Sequence, residues 1–194
     1  MSDIITQLMT DAHTQEEQRT LKIYKLFDEA HLPVYGTEWS ACFDLCASIR
    51  PQDEVTIVGA SNITTTRKLS SPGWAEDTTP YIPLHRGERC LVPTGLIFDL
   101  DEGQSLRIHP RSGLAWKQGV TVANCGGIVD ADYVEQSYVM LANLSRNPVE
   151  IRDGMRIAQA EIVTVPKKLK FKVVANRPTQ KTDRDGGFGS TGVH

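Results

Sequence analysis

RIHPRSGLAWKQGVTVANCGGIVDADY, residues 107–133, holds the densest chemistry in this chain. It sets Arg111, Ser112 and Gly113 side by side and, further on, an Asn124 followed by Asp130 and Tyr133. A planar guanidinium, a hydroxyl and a closely approachable glycine amide suit anionic oxygens, because charge-assisted and bidentate donors are the strong ones. Asn124 can donate and accept at once, Asp130 is a candidate base, and Tyr133 is an aromatic platform. Such a set would suit a nucleobase with its sugar and phosphates.

Outward from this stretch the signal is β. Glycines and prolines recur at short intervals, and residues 83–99 alternate apolar side chains (Cys90, Val92; Leu96, Phe98) around Pro93-Thr94-Gly95. Phe43, Leu45 and Ala47 alternate with Cys42, Asp44 and Cys46, which puts a carboxylate in the middle of a strand. That position is costly for a charge unless it is paired or wet. Residues 55–58 and 63–66 read as two strands joined through 59–62, and 71–74 as an exposed turn. Residues 112–117 are the one short internal helix expected, and 124–138 a hairpin or tight loop. In that loop alternation puts Asp130 and Asp132 on one face, so spacing does not choose between them as base. Residues 148–154 read as a turn before the strand RIAQAEIVTV. Residues 1–20 stand apart, with Ile4, Ile5, Leu8 and Met9 on a short helix that Ser2 could cap.

A length of 194 residues fits one domain with appendages. The net charge of −3 argues against sequence-blind nucleic-acid binding, which needs a basic face, so contacts to a polyanion must be local. Four cysteines without a CxxC pair read as free thiols in a soluble, non-secreted protein. A Cys42-Asp44-Cys46 metal site is the sharper alternative, but buried thiols are favoured because soft tetrahedral sites want two ligand pairs. No apolar run reaches the length of a membrane span.

Five motifs, in order, resemble those of the trimeric all-β dUTP pyrophosphatase (dUTPase) family. They are ACFDLCAS at 41–48, PRSGLA at 110–115, GIVDADY at 127–133, GMRIAQ at 154–159 and RDGGFGSTG at 184–192. The resemblance implies an all-β, distorted jelly-roll-like β-barrel over 21–176. A helical extension (1–20) would precede it and a flexible arm (177–194) would close over the site. Residues 54–80 depart most from the family and read as an insertion, either inert or a recruiting surface for a protein partner.

The same resemblance implies hydrolysis of dUTP to dUMP and pyrophosphate, which keeps uracil out of DNA and supplies dUMP for thymidylate. Asp130 would activate the water, a choice made by family position rather than by alternation. Arg111, Ser112, Gly113, Arg156, Gln159, Arg184, Ser190 and Thr191 would contact phosphates. Arg156 could equally be an ion pair at a subunit interface. Asn124, Gly127, Ile128, Val129, Asp130, Tyr133, Tyr138 and Phe188 would surround the nucleoside. Asp44 would hold, through water, a Mg²⁺ carried mainly by the substrate phosphates. Each site would draw on three copies of the chain in a homotrimer. The expected place is the cytoplasm, or the nucleus or a host cell's cytoplasm for a viral protein.

Several positions depart from the motifs. Cys42 replaces a glycine, Val134-Glu135 replaces Arg-Gly, Tyr138 stands where relatives commonly carry Met, and Arg184 lies one residue nearer the phenylalanine. Two rival functions are a dCTP deaminase and a regulatory binding protein. The first typically carries further polar residues after its Arg-Ser, where this chain has Gly113-Leu114-Ala115.

Overall fold

The computed structural model describes residues 20–69, 78–166 and 169–182. Two five-stranded antiparallel sheets face each other across one core, forming a jelly-roll-like all-β fold. The first has the order β11-β9-β14-β3-β2, built from Gly127–Asp130, Gln104–His109, Arg156–Thr164, Phe43–Cys46 and Val34–Tyr35. The second runs β10-β12-β7-β4-β5, from Val120–Val122, Tyr138–Asn143, Arg89–Pro93, Glu54–Val58 and Thr64–Lys68. Two further pairs close the flanks: β1 (Lys22–Lys25) with β8 (Leu96–Asp99), and β6 (Tyr81–Leu84) with β13 (Val149–Arg152). The one helix among the described residues, α1 (Ser112–Gln118), crosses from the first sheet to the second.

Alternation explains the core. Leu45, Leu106 and Ile108 point inward from the first sheet, and Ile57, Val92 and Leu141 from the second, all nearly solvent-free. Each such side chain contributes roughly 1.5–3 kcal/mol on burial. Their strand neighbours Ser105, Arg107 and His109 take the opposite face of β9.

Two sequence expectations change. Residues 148–154 are not simply a turn, because 149–152 form a strand whose Ile151 is fully buried against β6. The turn is confined to Asp153-Gly154, where Asp153 accepts the Ile49 amide at 2.7 Å and meets His31 Nε2 at 3.0 Å. Residues 124–138 are not a hairpin either, since β11 pairs with β9 upstream while β12 lies in the other sheet. The strand ends at Asp130, where the Tyr133 amide turns back on the Asp130 carbonyl at 3.1 Å, so alternation does not carry through to Asp132.

Residues 54–69 are tied into the second sheet. The two strands expected there form, and β4 joins β7 through Ile57↔Cys90 and Val58↔Arg89, with Val55 and Ile57 in the core. The 71–74 turn and the N-terminal helix lie outside the described residues.

Arg67 locks this hairpin to the β6–β7 turn. Its guanidinium takes Glu88 in both hands, at 2.8 and 3.1 Å, and also reaches the Pro83 carbonyl, while the His85 amide donates to Glu88 at 2.8 Å. Burial pushes the Glu88 carboxyl upward, but the Arg67 and His85 hydrogen bonds and the Arg67 charge outweigh it, and the net pKa is lowered. A carboxylate with a lowered folded pKa stabilises the fold above its unfolded value of about 4.3 and loses that contribution as the pH falls through the folded pKa. Glu88→Gln is therefore expected to cost about 2 kcal/mol at neutral pH, a Tm drop of about 5 °C. The difference from wild type should shrink once the pH falls below about 4, as thermal melts across pH will show.

Candidate active site

Asp44 is the buried charge in the middle of β3, and two arginines satisfy it. Its Oδ1 meets Arg111 Nε at 2.8 Å and its Oδ2 meets Arg156 Nη1 at 3.0 Å. Arg111 also donates to the Arg156 carbonyl at 3.0 Å, and Gln159 Nε2 donates to the Pro110 carbonyl at 3.0 Å. Three elements converge here for local reasons. The β3–β14 register sets Gln159 opposite Asp44, and an irregularity between Arg156 and Ala158 re-aims Arg156. Arg111 is the residue that caps α1, whose buried Leu114 fixes the helix against the core.

Two guanidiniums and one carboxylate leave a net positive charge, with unused N–H donors on both arginines. Ser112 and Gly113 are exposed beside them on the first turn of α1. A Cβ at Gly113 would have no heavy atom within 4 Å, so packing inside the chain does not demand a glycine there.

A second group of expected residues gathers on β11 and the crossover after it. Asn124 is exposed in the turn before β11. Ile128 and Asp130 point outward and are exposed, whereas the Val129 side chain faces the core and leaves only its main chain available. Gly127 packs on Ile108, where a Cβ would come to 3.0 Å. Because β11 is the terminal strand of its sheet, its outer main-chain donors and acceptors have no strand partner among the described residues. Tyr133 and Tyr138 stand half-exposed nearby. Gln136, which the sequence did not single out, ties them together: it accepts from Tyr133 Oη at 3.0 Å through its carbonyl and donates to Tyr138 Oη at 2.6 Å through Nε2.

The two groups do not meet within one chain. Asp130 shares a cross-strand row with Ser105 and Val163, while Asp44 shares one with Gln159 and His109. Those rows are four residues apart along β9, and Asp44 and Asp130 sit three strand spacings apart across the sheet. At about 3.4 Å per residue and about 4.8 Å per strand, the carboxylates are roughly 20 Å apart. Arg184, Phe188, Ser190 and Thr191 lie outside the described residues.

The dUTPase family profile matches residues 75–192. A deoxyuridine 5′-triphosphate nucleotidohydrolase of Hydrogenobaculum sp. (strain Y04AAS1) is 39% identical over 174 residues, covering 89% of this chain and 98% of that protein. The chain belongs to the dUTPase family. Solved dUTPases share the fold at lower identity. A point mutant of the Staphylococcus bacteriophage 80alpha enzyme with dUpNHpp aligns with a TM-score of 0.62 at 19% identity, covering 91% of this chain and all of that one. A mutant dUTPase from phage phi11 of S. aureus, described for its coordination of a structural Mg(II) ion, aligns at 0.57 and 16% identity, over 81% and 98%.

No group of three or more potential metal ligands exists among the described residues of this dUTPase-family chain. Cys42, Asp44 and Cys46 do not form such a group, and none of the four cysteines is in a disulfide. The donors fit a hydrated cation carried by a ligand better than a caged one. Each Asp44 oxygen accepts one arginine and keeps a second lone pair, which a metal-bound water could use. No helix among the described residues is long and apolar enough to cross a membrane.

Burial pushes the Cys90 thiol to about 12, and burial followed by the Glu161 and Asp44 charges also raises Cys42. Cys46 is raised by burial first and by Asp44 second, against the two arginines. Cys125 is exposed at a positive φ of 61°. A thiol-disulfide reagent at about pH 8 should therefore modify Cys125 first and reach Cys90 only after denaturation. Absorbance of the released thiol should lose its fastest phase in Cys125→Ser.

Proposed function

We propose that this chain hydrolyses dUTP to dUMP and pyrophosphate as a homotrimer whose active centres are shared between copies. The observation that carries the reading is the Asp44-anchored arginine pair, which supplies a fixed cationic cradle for a polyphosphate in a chain of this family. The separation of Asp130 from that cradle supports the sharing. A base, its water and an α-phosphorus must lie within hydrogen-bond reach of one another, which roughly 20 Å within a single chain does not allow.

In this mechanism Arg111, Ser112, Gly113, Arg156 and Gln159 of one copy bind the phosphates. A second copy presents β11: its free main-chain edge and Asn124 read the uracil, and Tyr133 and Tyr138 flank the deoxyribose. A tight main-chain edge leaves no space for a 5-methyl group, and Tyr133 stands where a 2′-hydroxyl would clash. The arm of a third copy brings Arg184, Ser190 and Thr191 to the phosphates and Phe188 to the base.

Asp130 takes a proton from water as the oxygen bonds to the α-phosphorus. The bond to the bridging oxygen breaks and pyrophosphate leaves toward the arginines. Such transfers need positioning and charge neutralisation more than covalent chemistry. Mg²⁺ bound with the substrate would neutralise phosphate charge, with Asp44 holding its water shell. Asp130 is exposed on its strand, where a water molecule can reach its carboxylate oxygens. Keeping uracil out of DNA and supplying dUMP would be the cellular outcome, in the cytoplasm or a comparable compartment. A protein partner for the segment 54–80 would add a recruiting role to the same enzyme.

Pyrophosphate release measured across dUTP and the four standard deoxynucleotides tests this. Release from dUTP alone is expected, with Asp130→Asn binding dUTP normally while kcat falls at least about 100-fold. Ammonia from dCTP, or near-normal hydrolysis by Asp130→Asn, would overturn it. Gly113→Ala should leave the melting temperature unchanged or slightly higher, since space and backbone both permit a methyl. Its KM for dUTP should rise about tenfold, the size of one lost charge-assisted hydrogen bond.

A further inference from the structure

We infer that Gln136 is a positioning residue that sets how strictly the site distinguishes deoxyribose from ribose. The inference rests on the hydrolase reading above, because that reading puts Tyr133 and Tyr138 against the sugar. Five contacts carry it. Tyr133 Oη donates to the Gln136 carbonyl at 3.0 Å, and Gln136 Nε2 donates to Tyr138 Oη at 2.6 Å. Gln136 Oε1 accepts the Gly95 amide at 3.0 Å. Next to it, Ser137 is held on both sides, its amide donating to the Leu96 carbonyl at 2.9 Å and its own carbonyl accepting Thr94 Oγ1 at 2.7 Å.

These contacts divide the labour. Ser137 is almost fully buried and Thr94 fully so, and together they pin the crossover to the β7–β8 turn whatever residue 136 is. The Gln136 side chain adds the link to the Tyr138 ring, while the main-chain carbonyl of the same residue takes the Tyr133 phenol. Its amide group is oriented by Gly95, which cannot become another residue: φ is +70°, and a Cβ would come within 2.8 Å of Ala30 and 2.9 Å of Phe27. The anchor is therefore a rigid piece of the scaffold rather than a mobile surface.

Rejecting a 2′-hydroxyl by steric clash works only if the ring cannot give way, so discrimination depends on what holds the phenols. Without the side-chain link to Gly95 and Tyr138, the half-exposed Tyr138 and the main-chain carbonyl that holds Tyr133 could shift by the few tenths of an ångström that a hydroxyl needs. A brace that reaches both rings through one residue is thus a specificity device for the sugar. It touches neither the phosphates nor the water.

The test compares kcat/KM for dUTP and for UTP in wild type, Gln136→Leu and Gln136→Glu, by pyrophosphate release. Gln136→Leu fills the same space but makes no side-chain hydrogen bond, and the dUTP:UTP ratio should fall about fivefold, the equivalent of one neutral hydrogen bond. Gln136→Glu keeps an acceptor for the Gly95 amide, and Tyr138 can then donate to it, so its ratio should stay close to wild type. The ratio is insensitive to the fraction of folded protein, so partial unfolding cannot imitate the effect. Equal proportional losses for both nucleotides in Gln136→Leu, or an unchanged ratio, would overturn the inference while leaving the hydrolase reading intact. A wild-type protein that ignores dUTP would overturn the hydrolase reading first, and this one with it.

Discussion

An ionised carboxylate inside a β-strand is tolerable only if the charge is met by donors that cannot wander off. Asp44 meets that condition with one arginine on each oxygen, and much of the architecture depends on it. The requirement brings together the middle of β3, the start of β14 and the point where β9 gives way to α1. It also holds both guanidiniums in place, which would lower the ordering cost of the polyphosphate binding proposed above. The carboxylate weakens the positive field by one charge and in exchange fixes its geometry. Without it, two like charges would share a cleft and repel.

The sheets carry Asp44, Arg156, Gln159 and Asp130, and other residues proposed for the site stand where the chain passes between the sheets. Helix α1, the turn before β11 and the segment 131–137 are all crossings from one sheet to the other. Each crossing is clamped at its base by buried residues: Leu114 under the helix, Val129 inside β11, and Ser137 with Thr94 behind the last. Loops held in this way carry functional side chains on a rigid frame. The hairpin β4–β5 belongs to that frame as well, through Ile57 in the core and the Arg67–Glu88 clasp at its edge.

Local patterning made the strands β3, β4, β5, β7 and β8 legible, as well as the short helix after Pro110, since these depend on neighbours in sequence. The strand 149–152 was hidden because Pro148 and Gly154 flank it like turn residues, while its partner β6 lies far back in the chain. β11 was misjudged for the same reason: a tight glycine pair suggests pairing with the next strand, but the hydrogen bonds run to β9. The five motifs pointed to Arg111, Asp130 and Tyr133. They could not reveal that Asp44 is shared between Arg111 and Arg156, an arrangement that exists only after three distant segments meet. Gln136 carried no signal at all, because its significance is a pair of hydrogen bonds to groups on a remote turn and a neighbouring ring.

The wide gap on the sheet between Asp130 and Asp44 has a consequence for inheritance and engineering. If each centre combines the acid of one molecule with the cradle of its neighbour, damage to one polypeptide is not confined to one site. A defective allele would poison assemblies built with healthy partners, and two differently broken versions could restore each other when mixed. Function would then be a property of the collective before it is a property of any single chain.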